Sequence, residues 1–182
     1  MKFFIISDIH GSLPAIKQAL TAFDVEKADM LIICGDYLNH GPRHDIPIGY
    51  DPKQVAELLN KKKDSIISVR GNCDSEVDQM LFEFPVLDAS TSLFMGNKRV
   101  FIHHGHLYDE KQLEMWTKPG DIILSGHTHI SLIEKNKERI FCNPGSISIP
   151  KGNTIPSYGI LTETKLELKS LSDFSLMKEL FH

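Results

Sequence analysis

Asp8-Ile9-His10, Gly35-Asp36 and Gly126-His127-Thr128-His129 carry the plainest chemistry in this chain. Each follows directly on an apolar run of strand character: Phe3-Phe4-Ile5-Ile6, Met30-Leu31-Ile32-Ile33 and Ile122-Ile123-Leu124. Two further segments repeat the pattern, Gly71-Asn72-Cys73-Asp74 after Ile66-Ile67-Ser68-Val69, and His103-His104-Gly105-His106 after Val100-Phe101-Ile102. Carboxylate, carboxamide and imidazole groups are ligands for divalent cations. Strand ends deliver them to one rim of a sheet, where open α/β sheets build their sites. Hydrolysis of a phosphate ester needs charge neutralised on phosphoryl oxygens and hydroxide near neutral pH. Two metal ions about 3.5–4 Å apart supply both and clamp an in-line displacement.

Asp8 and His10 are one residue apart, so on an extended chain end they face the same side. Asp36, between the early and late segments, is the natural bridging carboxylate. Asn72 offers a neutral carbonyl oxygen, and His104, His127 and His129 offer imidazoles, the last two again one residue apart. This oxygen and nitrogen set suits manganese, iron or zinc better than a thiolate-rich structural site. Taken singly, each residue has an ordinary reading. Asp8 can cap the following helix, Asp36 can end a strand, His127 and His129 can sit in a turn, and Gly11, Gly35, Gly71 and Gly126 suit tight turns. Their joint occurrence at one sheet edge favours a metal site. For His103 the ordinary reading stands, because alternation along its strand points it away from His104.

The elements that must hold these groups are legible. Ser12 is a candidate cap for a helix entered through Pro14, with Ile16, Ala19, Leu20 and Phe23 on one face. That helix joins two apolar strands, so residues 2–34 form a βαβ unit with parallel strands. A second helix begins with Asp51 as cap and Pro52 first, shows Val55, Leu58 and Leu59 on its apolar face, and ends in a solvated Lys61-Lys62-Lys63 run. A strand at 65–69 follows, then a short helix near 75–82 with Ser75 and Asp78 in capping-box spacing. Beyond residue 90 the segments 92–95, 99–103, 121–125, 130–135, 139–142, 158–162 and 165–170 read as short strands of a mainly antiparallel second sheet. A helix near 109–117 interrupts them, with Leu113, Met115 and Trp116 read as core. The loop from Tyr37 to Tyr50 is long for a compact domain and leaves from Asp36, so it should overhang the site. Arg43 and His44 in it read equally well as phosphate contacts and as solvated residues. Asn143-Pro144-Gly145-Ser146 reads first as a turn.

With 182 residues, 41% hydrophobic and 24% charged, the chain fits one domain over 1–182 with a sizeable core. A net charge of −4 gives no case for nucleic acid or an anionic membrane. No apolar run approaches a membrane span of about 20 residues. The apolar stretch after Met1 is too short for a leader and reads as the first strand. Cys34, Cys73 and Cys142 lack disulfide or zinc-ribbon spacing, which points to a reducing, cytoplasmic setting; Cys34 and Cys142 read as buried small hydrophobes. Eight of nine histidines lie in the loops named above, and only His182 lies elsewhere. A homo-oligomer stays open, since Phe82-Glu83-Phe84-Pro85-Val86-Leu87 reads as a subunit contact or as core.

Asp8-x-His10, Gly35-Asp36 with Gly41, Gly71-Asn72-x-Asp74, His104-Gly105-His106 and Gly126-His127-Thr128-His129 resemble the ordered motifs of the calcineurin-like metallophosphoesterase superfamily. Asp8 to Pro14, Asn39-His40-Gly41-Pro42-Arg43, Arg70 to Met80 and Asn143 to Ser146 are similar to the small bacterial YfcE-type phosphodiesterases. The resemblance implies an α/β, four-layer αββα sandwich of two mixed sheets flanked by helices. It also implies a small phosphodiester substrate and two divalent ions, manganese first, with zinc, nickel or iron as the other candidates. One ion would be held by Asp8, His10, Asp36 and His129, the other by Asp36, Asn72, His104 and His127. A hydroxide bridging both would attack phosphorus, Asp74 would orient a ligand, and Asn39 and Arg43 would touch substrate. A monoesterase, a nucleotide-specific hydrolase and a non-catalytic scaffold are the alternatives on the same fold.

One position departs from the family pattern. Many members carry after the Asn a histidine that protonates the leaving oxygen, and Cys73 stands there instead. A thiol of pKa about 8.5 is the weaker acid, so His106 or His40 are the substitutes. The expectation is that aryl esters, with good leaving groups, turn over far better than alkyl diesters.

Overall fold

The computed structural model describes residues 1–181, so His182 lies outside the described residues. The chain runs β1 (Phe3–Ile6), α1 (Leu13–Glu26), β2 (Met30–Ile33), α2 (Pro52–Asn60), β3 (Ile66–Ser68), α3 (Glu76–Gln79), β4 (Ser90–Met95) and β5 (Lys98–His103). It continues through α4 (Glu110–Trp116), β6 (Ile122–Leu124), β7 (Leu132–Asn136), β8 (Arg139–Asn143), β9 (Ser157–Leu161), β10 (Lys165–Ser170) and β11 (Leu176–Phe181). Six strands form one sheet in the order β11-β10-β9-β1-β2-β3, and five form the other in the order β4-β5-β6-β8-β7.

β1, β2 and β3 are parallel, with Phe3 opposite Met30 and Ile33 opposite both Ile6 and Ser68. Being covered on both faces, these strands read as unbroken apolar runs. Alternate side chains sort to opposite layers. Phe3, Ile5, Ile32 and Cys34 meet Val100, Ile102, Ile122, Leu124, Ile140 and Cys142 between the sheets. Phe4, Ile6, Leu31 and Ile33 instead pack on Ile16, Ala19 and Phe23 of α1 and on Val55 and Leu59 of α2. Across the other sheet Phe101 and Ile123 pack on Leu113 of α4. The result is the four-layer helix–sheet–sheet–helix arrangement. Each fully buried Ile or Phe contributes roughly 1.5–3 kcal/mol to holding it.

The structure corrects several expectations. β9, β10 and β11 belong to the first sheet, because β1 has a second edge that β9 fills antiparallel. The second sheet is mixed. β5, β6 and β8 are parallel, and antiparallel β4 and β7 stand at its edges. β11 has no signature in the sequence, since Leu176 to Phe181 shows no alternation and lies mostly exposed at the sheet edge. Ser12 does not cap α1 with its side chain; its hydroxyl donates to the Ile48 carbonyl at 3.0 Å and pins the 37–50 loop. Met115 and Trp116 are 69% and 42% exposed, so only Leu113 of that trio is core. Phe82, Phe84 and Val86 are buried near Tyr37, which decides that segment as core. The Asp51 cap and the Ser75–Asp78 pair form as expected. Among the described residues no helix is long and apolar enough to cross a membrane.

Candidate metal centre

Parallel strands end on the same side of a sheet, so β1, β2 and β3 deliver Asp8, Asp36 and Asn72 to one place. β5 and β6 do the same for His104, His127 and His129. The chain turns sharply there. Asp8, His10, Asp36, His127 and His129 all have positive φ, between 49° and 69°. That region costs a non-glycine residue of order 1–3 kcal/mol and persists where the surroundings impose it, typically at functional sites. The expected extended geometry for the Asp8/His10 and His127/His129 pairs is therefore wrong. Extended residues two apart would stand about 6.6 Å from each other, whereas tight left-handed turns fold the two side chains of each pair inward.

Two glycines allow the close approach. A Cβ on Gly71 would overlap the Asp36 carboxylate and amide nitrogen, and one on Gly126 would overlap the Ser7 hydroxyl.

The donors converge. His10 Nε2 and His129 Nε2 are 3.3 Å apart, and Asp8 Oδ1 lies 3.7 Å and 3.2 Å from them. Asp36 Oδ2 stands between His10 Nε2 at 3.7 Å and His104 Nε2 at 3.4 Å. Asn72 Oδ1 is 3.1 Å from His104 Nε2 and 2.7 Å from His127 Nδ1. Three triads, Asp8/His10/His129, Asp8/Asp36/His104 and His10/Asp36/Cys73, each bring one ligand atom per residue within 4.8 Å of the others.

The far side of three of these rings is tied to backbone, the exception being His127. Nδ1–H of His10 donates to the Asn39 carbonyl at 2.7 Å, that of His104 to Cys34 at 2.6 Å, and that of His129 to Ile149 at 2.8 Å. Such bonds fix the tautomer that leaves Nε2 free for a cation. Asp8 Oδ1 is buried and accepts no hydrogen bond among the described residues. An orphaned carboxylate oxygen ringed by imidazole nitrogens fits a divalent cation, and the oxygen and nitrogen donor set suits manganese, iron or zinc.

A family description, the calcineurin-like phosphoesterase superfamily domain, matches residues 1–165. The chain belongs to that superfamily. Its class of activity is that of a phosphoric ester hydrolase. The chain is 45% identical to Phosphodiesterase YfcE of Escherichia coli over 98% of its own length and 97% of the relative. A solved structure of that E. coli phosphoesterase superposes with a TM-score of 0.95 at 44% identity, covering 99% and 98% of the two chains. A phosphodiesterase of Methanocaldococcus jannaschii is 29% identical over 94% of this chain and 98% of its own.

Electrostatics in this phosphoesterase follow from burial and neighbours. Burial alone would raise the Asp8 carboxyl, but the His10 and His129 imidazoles facing it outweigh burial and hold Asp8 well below the carboxylate range. Asp36 is lowered in the same way, burial being overcome by His104. His104 is raised to about 9, since its contact with Asp36 outweighs burial. Burial, then the Asp36 charge, pushes Asp74 up to about 7.

Asp74 braces Asp36 rather than a histidine. Its carboxylate accepts from the backbone N–H of Asp36 and Tyr37 at 2.9 Å each and of Gly71 at 2.6 Å. Asn39 also supports: its carbonyl holds His10 and its side-chain oxygen accepts from Gly41 N–H at 2.7 Å.

Cys73, half-buried, lines the cleft over the centre together with Arg43, His44 and Lys151. Burial and then Asp36 push its thiol up to about 12. His106 faces a separate surface cleft with Arg70 and Leu107, 5.2 Å ring to ring from His104. His40 packs edge-on to Tyr50, ring centroids 5.3 Å apart. Neither lines the cleft at the centre. His103 is buried against Phe101 and Tyr108 on the opposite face.

Sequence reasoning missed Lys151, whose charge sits in a stretch without motif. It also gave Ser146 too small a part, for its hydroxyl donates to the Asp8 carbonyl at 2.7 Å and fixes that turn.

Proposed function

We propose that the chain is a metal-dependent phosphodiesterase of small molecules that works with two divalent cations, manganese first. The observation that carries this reading is the position of Asp36 Oδ2, within 3.4–3.7 Å of imidazoles from two different groups. One group is Asp8, His10 and His129; the other is Asn72, His104 and His127. When bound, the cations supply an acidified water as nucleophile and neutralise the phosphoryl oxygens. The chain's own residues do the rest. Backbone carbonyls aim the imidazoles, Asp74 fixes the Asp36 turn, and the cleft of 210 Å³ admits a phosphoryl group with small substituents. Cys73 keeps its proton and gives the leaving oxygen little acid help, so turnover depends on the leaving group. The diester preference is supported by the E. coli relative, whose name is that of a phosphodiesterase. Three free cysteines fit a cytoplasmic setting.

The test is metal add-back to stripped protein, with bis(p-nitrophenyl) phosphate as substrate and elemental analysis in parallel. Two ions per chain and activity restored by manganese are expected, with alkyl diesters at least a hundredfold slower. No activity with manganese, zinc, nickel or iron would overturn the reading. Equal rates on aryl and alkyl diesters would remove the leaving-group part of it.

A further inference from the structure

Arg43 and Lys151 stand on the wall of the cleft, and Asp36 is the only acidic residue among those that line it. Neither Arg43 nor Lys151 forms an ion pair with a carboxylate among the described residues, so both charges stay open to an anion in the cleft. Lys151 is held toward the centre at both ends. Its backbone N–H donates to the His129 carbonyl at 3.0 Å, and its ammonium donates to His44 Nε2 at 3.4 Å. The His44 ring in turn lies 5.1 Å from His129 and 5.8 Å from His10. His44 thus ties the ammonium to a ring that packs beside the imidazoles of the centre.

The charges count beyond a simple diester. Two dications, the Asp8 and Asp36 carboxylates and one hydroxide sum to a single positive charge, which one diester anion balances. Arg43 and Lys151 add two more, aimed into the same cleft. Arginine and lysine are the usual partners of phosphate. No imidazole stands at Cys73 to protonate a leaving alkoxide, so the site favours a leaving group that needs no proton. A phosphate monoester, with a second pKa near 6, is such a group.

We infer that Arg43 and Lys151 seat a second phosphoryl group, and that the natural substrate class is an organic pyrophosphate, in which an anhydride oxygen joins two phosphoryl groups that each carry one ester. This rests on the phosphodiesterase reading. A water-derived hydroxide adds to one phosphorus and the P–O bond to the bridging oxygen breaks. Its electron pair stays on the departing phosphate, and one proton is released to solvent. Two phosphate monoesters result, and no oxidant or reductant is needed.

The test compares symmetrical diphenyl pyrophosphate with bis(p-nitrophenyl) phosphate, using manganese-loaded wild type, Lys151→Met and Arg43→Gln. Wild type is expected to yield two phenyl phosphates from the first compound. Each variant should lose at least tenfold in kcat/KM on the pyrophosphate, mainly through KM, and at least fivefold less than that on the aryl diester. Calorimetric binding of the uncleavable methylene-bridged analogue should weaken in parallel, a readout independent of turnover. Cleavage of the aryl diester without cleavage of the pyrophosphate would overturn the inference. So would equal losses on both substrates. Failure of wild type on both compounds with every metal would instead bring down the phosphodiesterase reading itself.

Discussion

The two sheets bring different chemistry to one point. The first contributes oxygen donors from three strand ends, Asp8, Asp36 and Asn72, with His10 as its one imidazole. The second contributes imidazoles alone, His104, His127 and His129. Each set is held partly by the other. His104 donates to the Cys34 carbonyl at the end of β2, and His127 N–H donates to Asp8 Oδ2 at 3.1 Å. Neither sheet presents a closed ligand set, so the centre exists only where the apolar layer between them docks the two in register. In the proposed centre the carboxylates would carry the charge a dication needs, and the imidazoles would complete the donor set.

Removing a charge should therefore cost more than removing a ring. Asp36→Asn is expected to lower kcat/KM on an aryl diester by about a thousandfold or more, about 4 kcal/mol in barrier, and to lower bound metal per chain. His127→Ala, which removes one neutral imidazole from a half-buried rim position touching Asn72, should cost roughly 10–100-fold, about 1.4–2.7 kcal/mol in barrier. Steady-state kinetics with elemental analysis of both variants decides. Equal losses would mean that the division of labour between the sheets is wrong.

The glycines beside the centre sharpen the same contrast through stability. A methyl group on Gly71 meets the Asp36 backbone nitrogen as well as its carboxylate, and backbone pinned by Asp74 cannot swing aside. A methyl on Gly126 chiefly meets the Ser7 hydroxyl, a side chain that can rotate. Overpacking of this kind costs about 1–3 kcal/mol. Gly71→Ala is expected near the upper end and Gly126→Ala near the lower, with each kcal/mol lowering Tm by about 2–4 °C. Thermal melts of metal-free protein would rank them, and the reverse order would show that the Asp36 turn is the softer of the two.

Much of this was legible because burial on both faces leaves a plain trace. β1, β2 and β6 are unbroken apolar runs, and the groups that end them are chemically conspicuous. What stayed hidden lacks a local signal. β11 owes its pairing to β10, not to its own pattern. The left-handed φ at Asp8, His10, Asp36, His127 and His129 is imposed by convergence of strand ends, which no propensity encodes. Lys151 lines the cleft with its amide tied to His129, and Asn39 holds His10 and Gly41 through its two oxygens, contacts that no local pattern announces. Alternation along β5 puts His103 and His104 on opposite faces, and that pattern is local enough to be legible in the sequence.

That last pair gives the smallest and cleanest effect. His104 turns inward to the centre, whereas His103 enters the layer under α4, with ring centroids 5.7 Å from both Phe101 and Tyr108. Among the described residues neither nitrogen of His103 has a hydrogen-bond partner, and burial, helped by nearby His104, pushes its pKa down to about 4. The unfolded chain protonates this imidazole at about 6.5. Stability from keeping it neutral is therefore complete above pH 6.5 and is lost as pH falls from 6.5 to about 4, by roughly 3 kcal/mol in all. His103→Phe removes the proton and keeps an aromatic ring in an aromatic layer. Between pH 8 and pH 5 its stability should fall less than that of wild type, by about 2 kcal/mol. Urea unfolding of both proteins, metal-free so that the ligand imidazoles titrate alike in each, measures the difference. Parallel curves would mean that His103 is protonated without penalty, and the helix-facing layer of the second sheet would then be wetter than its packing implies.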